Sequence, residues 1–120
     1  MYDQSADSIL NTIKNLLGLS EDDTSFDQDV LIHINSVFLV LEQLGVGPES
    51  GYSIFDSQDV WSDFIEDEKL LNYLKTYIYL KVKLVFDPPS NSTVLESINR
   101  QIDQFEWRIC QAAETLKKGS

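Results

Sequence analysis

"LKVKLVFDPPSNSTVLESI", residues 80–98, decides the fold. An apolar run reaches Phe86, Asp87-Pro88-Pro89 stops it, and Thr93-Val94-Leu95-Glu96 begins another. A proline inside a helix removes an amide donor and clashes with the preceding turn. The residue before a proline is pushed out of helical geometry, which sets the boundary at Asp87. Thr93 and Glu96 have the spacing of a capping box, in which two side chains satisfy orphan amides reciprocally. The stretch predicts a helix–turn–helix reversal, with Asp87, Pro88, Pro89, Thr93 and Glu96 as its structural corner.

Upstream of the corner, Leu70, Leu71, Tyr73, Leu74, Tyr77, Ile78, Leu80, Val82, Leu84 and Val85 predict a helix from about Asp67 to Phe86. At 100° per residue they fill an arc of roughly 200°, the signature of a central helix covered on several sides. Lys81 falls inside that arc, where it snorkels to the surface or pairs with a carboxylate. Downstream, Val94, Leu95, Ile98, Ile102, Phe105, Ile109, Ala112, Ala113 and Leu116 form one stripe. Nearer the start, Ile9, Leu10, Ile13, Leu16 and Leu17 predict a helix from Ser5 to Leu17, with Gly18 as its stop. Ser25 and Gln28 have capping-box spacing ahead of a stripe of Phe26, Val30, Ile34, Val37, Leu41 and Leu44, which Gly45 ends. Residues 45–58 hold three of the five glycines and are irregular, with Tyr52–Phe55 as a candidate hairpin arm. A brief helix follows at Asp59–Ile65. The expected fold is all-α, a bundle of four to five helices around a long central one. One domain is expected across 1–120, with residues 1–7 and 117–120 peripheral.

Composition narrows the function. No apolar run approaches the ~18 residues of a membrane span, and MYDQSADS has none of the marks of a secretory leader. A single cysteine, Cys110, excludes an internal disulfide and fits a reducing cytoplasm. The net charge of −11 argues against a phosphate-neutralising grip on nucleic acid. That charge is unevenly placed: residues 1–68 carry −14 and residues 69–120 carry +3. Regions of opposite sign pair within a chain or between copies.

Chemistry-bearing sets are missing. His33, the only histidine, lies beside an apolar stripe and reads as a satisfied core histidine. Nothing beside Cys110 marks an activated thiolate. The acids of 21–29 and 56–68 lack the alternation, fixed glycine and closing glutamate of an EF-hand and read as loop and helix-start charge. No catalytic residue, metal or cofactor is expected. Trp107, opposite Phe105 on the polar side of its helix, and Ile32 and Leu39, on the back of theirs, stand outside this account. Large apolar groups at such positions are interface candidates.

The strings FDQDVLIHINSVFLVLEQLGVGP, WSDFI and LKTYIYLKVKLVFDPPSNSTVLESINRQIDQFEWRI resemble the small head–tail connector (adaptor) proteins of tailed bacteriophages, most closely those of phages and prophages of Gram-positive bacteria. The resemblance spans roughly residues 8–114. It implies a helical structural protein at the virion head–tail junction, made in the host cytoplasm and involved in virion assembly and DNA packaging. Its partners would be a portal protein, tail-completion or neck proteins, and identical copies in a ring, commonly of twelve, through which DNA passes. It implies no catalysis, no membrane contact and no specific nucleic-acid binding. Trp107, Ile32, Leu39, Tyr52, Ile54 and Phe55 are then the candidate contacts with other subunits or the portal. A competing reading is an acidic DNA mimic that inhibits a nucleic-acid-binding enzyme. The clustering of acids in loops and helix starts, rather than along one face, weighs against it. An enzyme is the weakest reading, for want of a nucleophile–base pair.

Overall fold

The computed structural model describes residues 7–118, and side chains up to 115. Five helices are named here: α1 (Ile9–Leu16), α2 (Asp27–Gln43), α3 (Trp61–Phe64), α4 (Glu68–Phe86) and α5 (Ser92–Lys118). No strand occurs among the described residues, so the class is all-α.

The centre of the bundle is α4. Leu80 and Val82 are both buried, although two residues apart they project about 160° from one another. That is satisfied only if α4 is covered on opposite sides, and it packs against α1, α2 and α5. Of these, α2 and α5 run antiparallel to it. Phe26, just before α2, meets Phe86 at the end of α4 with ring centroids 5.6 Å apart. The residues just after α2, the start of α4 and Ala113 of α5 meet at the other end.

Each helix buries the stripe its period demands. Val30, Ile34, Val37, Phe38 and Leu41 face inward from α2, and Ile98, Ile102, Ile109 and Ala113 from α5. Every fully buried aliphatic side chain of this set contributes roughly 1.5–3 kcal/mol by leaving water. Val85, Leu16, Val94 and Phe26, members of the expected stripes, are exposed instead, at 60%, 47%, 45% and 41%.

The ends of the elements correct the sequence reading in several places. At the corner, α4 ends at Asp87, as the prolines require, but Asn91 caps α5. Its Oδ1 accepts from the backbone N–H groups of Thr93 (2.8 Å) and Val94 (3.2 Å). Thr93 therefore lies inside the first turn, and the Thr93/Glu96 capping box does not form. Asparagine is as good a cap as threonine, and its position lets Ser92 join the helix. Nor does Ser25 cap α2: its hydroxyl donates to Asp23, and Phe26 stands at the cap position without a side-chain bond. At the head of α1, Ser8 is extended and accepts from Asn11 N–H, which sets the start at Ile9. Ser5, its expected start, lies outside the described residues.

No hairpin forms at Tyr52–Phe55. The segment is extended but pairs with a side chain instead of a strand. Asn35 of α2 donates to Ile54 O (3.0 Å) and accepts from Ile54 N–H (2.8 Å), as a neighbouring strand would. One isolated bridge, Ser8 with Val60, joins the start of α1 to the start of α3. Trp61 reinforces it by donating to Thr12 Oγ1 at 3.0 Å.

Lys14, the sole base of the first 68 residues, is buried at the end of α1. Its ammonium donates to Glu21 O (3.1 Å) and Asp23 O (2.8 Å) and pairs with Asp27 Oδ1 at 2.7 Å. The acidic loop between α1 and α2 is wrapped around this one cation. Ser25 holds the Asp23 carboxyl below the usual range by hydrogen bonds from its hydroxyl and its N–H.

Candidate assembly surfaces

On α2, the period that buries Ile34, Val37 and Leu41 must turn Ile32 and Leu39 the opposite way, since 100° per residue puts them half a turn from that stripe. They are 59% and 63% exposed. Asn35 lies between them along the helix and holds Ile54, so the loop crosses α2 at this level. Phe55 follows directly and is 80% exposed. Its N–H and that of Asp56 both donate to Asp59 Oδ2, which fixes the loop beyond Asn35. Ile32, Leu39 and Phe55 thus belong to one region of the surface.

The same loop removes two residues from the candidate set. Ile54 is 1% exposed and belongs to the core. Tyr52 is half-buried in an aromatic cluster, its ring 5.2 Å from both Phe38 and Phe64. Its hydroxyl donates to Val60 O at 3.4 Å. Burial, then the charges of Asp59 and Asp63, push its pKa up to about 12. An extended segment alternates its side chains, so Tyr52 and Ile54 turn inward while Phe55 turns out.

On α5, Trp107 lies half a turn from Ile98, Ile102 and Ile109 and is 65% exposed. Arg100, seven residues earlier, shares its face and is exposed, as is Arg108 beside it. An indole flanked by guanidinium groups combines the two side-chain types most enriched at binding hot spots. Both α2 and α5 pack against α4, so each turns its exposed face away from α4.

Lys81 is half-buried with its ammonium over the Tyr77 ring, 6.0 Å from the centroid, a cation–π contact. The Tyr77 hydroxyl donates to Glu106 Oε2 at 2.8 Å, and burial followed by that carboxylate drives its pKa well upward. His33 and Cys110 are half-buried on separate helices. No cluster of three or more metal-ligating side chains occurs among the described residues. No helix there is long and apolar enough to cross a membrane. Sequence reasoning missed Asn35 and Lys14. A lone asparagine mid-helix and a lone lysine in an acidic region were their only signals.

The chain was compared with known proteins. The family model described as "Phage connector protein" matches residues 9–115. No curated protein and no solved structure matches significantly.

Proposed function

Because the chain belongs to the phage connector protein family and so has a structural connector role, we propose that it is one subunit of a ring at the head–tail junction of a bacteriophage. The ring sits between the portal and the tail-completion proteins, and the genome passes through it. The observation that carries this reading is the pair of exposed apolar faces on α2 and α5. Each lies opposite its own helix's buried stripe, and the two carry different residues. A closed ring needs two different patches on one subunit that meet on successive neighbours. A strongly acidic subunit also suits a conduit, since it repels phosphates rather than holding them.

The test is the mass of the purified protein alone and after mixing with portal rings of the same phage, read by native mass spectrometry. The expected result is a portal complex carrying many copies. A chain that stays monomeric and never associates with portal rings would remove the reading.

A further inference from the structure

The loop after α2, the short α3 and the ends of α4 and α5 enclose an open groove of about 530 Å³. Val46, Phe64, Leu70 and Ala113 make its apolar lining, and Glu49, Asp63 and Glu66 bring three carboxylates to it, with no lysine or arginine among the described side chains that line it. All three carboxylates are exposed, and neither ion pair among the described residues uses them. The groove depends on Gly47. Its φ is +93°, and a Cβ there would stand 2.5 Å from Phe64 Cε1. The backbone can pass over the Phe64 ring only without a side chain.

The chain also carries the chemical complement of this groove, on another surface. Trp107 and Arg100 share the outward face of α5, and Arg108 is adjacent. A tryptophan offers 150–250 Å² of largely apolar area, and arginine is suited to carboxylates through its planar donor fork. Trp107 cannot serve its own groove. Ala113, which lines it, lies on the buried stripe of α5. Trp107 projects about 120° away from Ala113 and roughly 9 Å further back along the axis.

We propose that the acid-rimmed groove of one subunit receives Trp107 and Arg100 of the next copy. The assignment rests on the ring reading and seats the α5 face in the neighbour's groove, which leaves Ile32, Leu39 and Phe55 of the α2 face for the portal or tail side. It uses the charge segregation of the chain: the groove carboxylates lie within the acidic 1–68, and Trp107 and Arg100 within the basic remainder. The two patches differ and lie apart, so the contact is head-to-tail and propagates.

Charge reversal tests it, with assembly on portal rings as the readout. Glu66→Arg and Arg100→Glu are both exposed changes, and unchanged thermal melts of the free chain would establish that each variant folds. Each alone should weaken assembly roughly tenfold or more by placing like charges together, and the double variant should recover to within about threefold of the parent. Trp107→Ala should lose assembly as well. If Trp107→Ala abolishes assembly while Glu66→Arg changes nothing, or if the double variant shows no recovery, the groove assignment falls and the ring stands. If the parent chain does not assemble on portal rings at all, both fall.

Discussion

Replacing Lys14 by methionine tests whether a single cation organises the acidic loop. Methionine keeps the length and apolar stem and removes only the ammonium. The two carbonyls at 3.1 and 2.8 Å and the carboxylate at 2.7 Å then lose their common partner. Removing one member of a buried pair costs about 3–5 kcal/mol. Asp27 is 25% exposed, so water recovers part of its solvation and the lower end, about 3 kcal/mol, is expected. At roughly 4 °C per kcal/mol for a chain of this size, the melting temperature falls by about 12 °C. Urea titration followed by far-ultraviolet circular dichroism measures the change in free energy. A double-mutant cycle with Asp27→Asn isolates the pair, and its coupling should exceed about 1 kcal/mol. A Lys14→Met cost below about 1 kcal/mol, or a coupling indistinguishable from zero, would refute the reasoning. The loop would then be held by its turn bonds, such as Asp23 N–H to Ser20 O at 3.1 Å.

Asn35→Ala leaves the N–H and C=O of Ile54 without their partner, and each unsatisfied group costs roughly 1–3 kcal/mol if it stays buried. The loop should instead loosen, and hydrogen exchange at the Ile54 amide should accelerate at least tenfold by mass spectrometry while amides in the middle of α4 keep their protection. Gly47→Ala should lower stability by about 2 kcal/mol in urea titration, because it combines a left-handed backbone with contact on Phe64. Tyr52→Phe should flatten the alkaline limb of stability. The unfolded phenol releases its proton near pH 10, while the folded one holds it to about 12. The folded chain therefore binds more protons in that window, and stability falls as pH rises through it. The half-exposed ring is screened, so the change between pH 9 and pH 11 is about 0.5 kcal/mol rather than the roughly 1.3 that an unscreened two-unit shift would give over that window. Urea midpoints at pH 9 and pH 11 for the two chains give the difference.

The long helices were legible because their apolar residues repeat at helical spacing and two prolines leave no other reading of residues 88–89. What the sequence hid depends on partners distant in the chain. Asn35 and Ile54 are nineteen residues apart, and no local rule joins them. Trp61 and Thr12 are forty-nine apart. Ser25 and Thr93 look like caps by spacing, yet Asp23 and Asn91 compete for the same turns with carboxylate and amide oxygens, which accept backbone bonds readily. The outward faces were half legible. Position on the helical wheel places Trp107, Ile32 and Leu39 away from their own stripes, but only the folded structure shows that no other described part of the subunit covers them. The groove was not legible, since its lining comes from four separate stretches.

The charge segregation gains a physical meaning from the folded subunit. A chain of −14 and +3 halves could neutralise itself by folding one against the other. Among the described residues, neither ion pair does so: Lys14 meets Asp27 inside the acidic half, and Lys83 meets Asp87 inside the other. The second is an exposed contact at 3.6 Å, which contributes little. Burial of α4 is apolar, so the helices that bring the halves together do it without using their charges. Exposed acids at Glu49, Asp63 and Glu66 and exposed bases at Arg100 and Arg108 are left on separate surfaces. Unpaired surface charge of this kind adds little to the fold and acts through space over about 10 Å at 0.1 M salt. Its effect falls on encounter and orientation between molecules, where complementary patches select one arrangement over others. Apolar periodicity therefore builds the subunit, while the charge pattern remains free to direct how subunits meet.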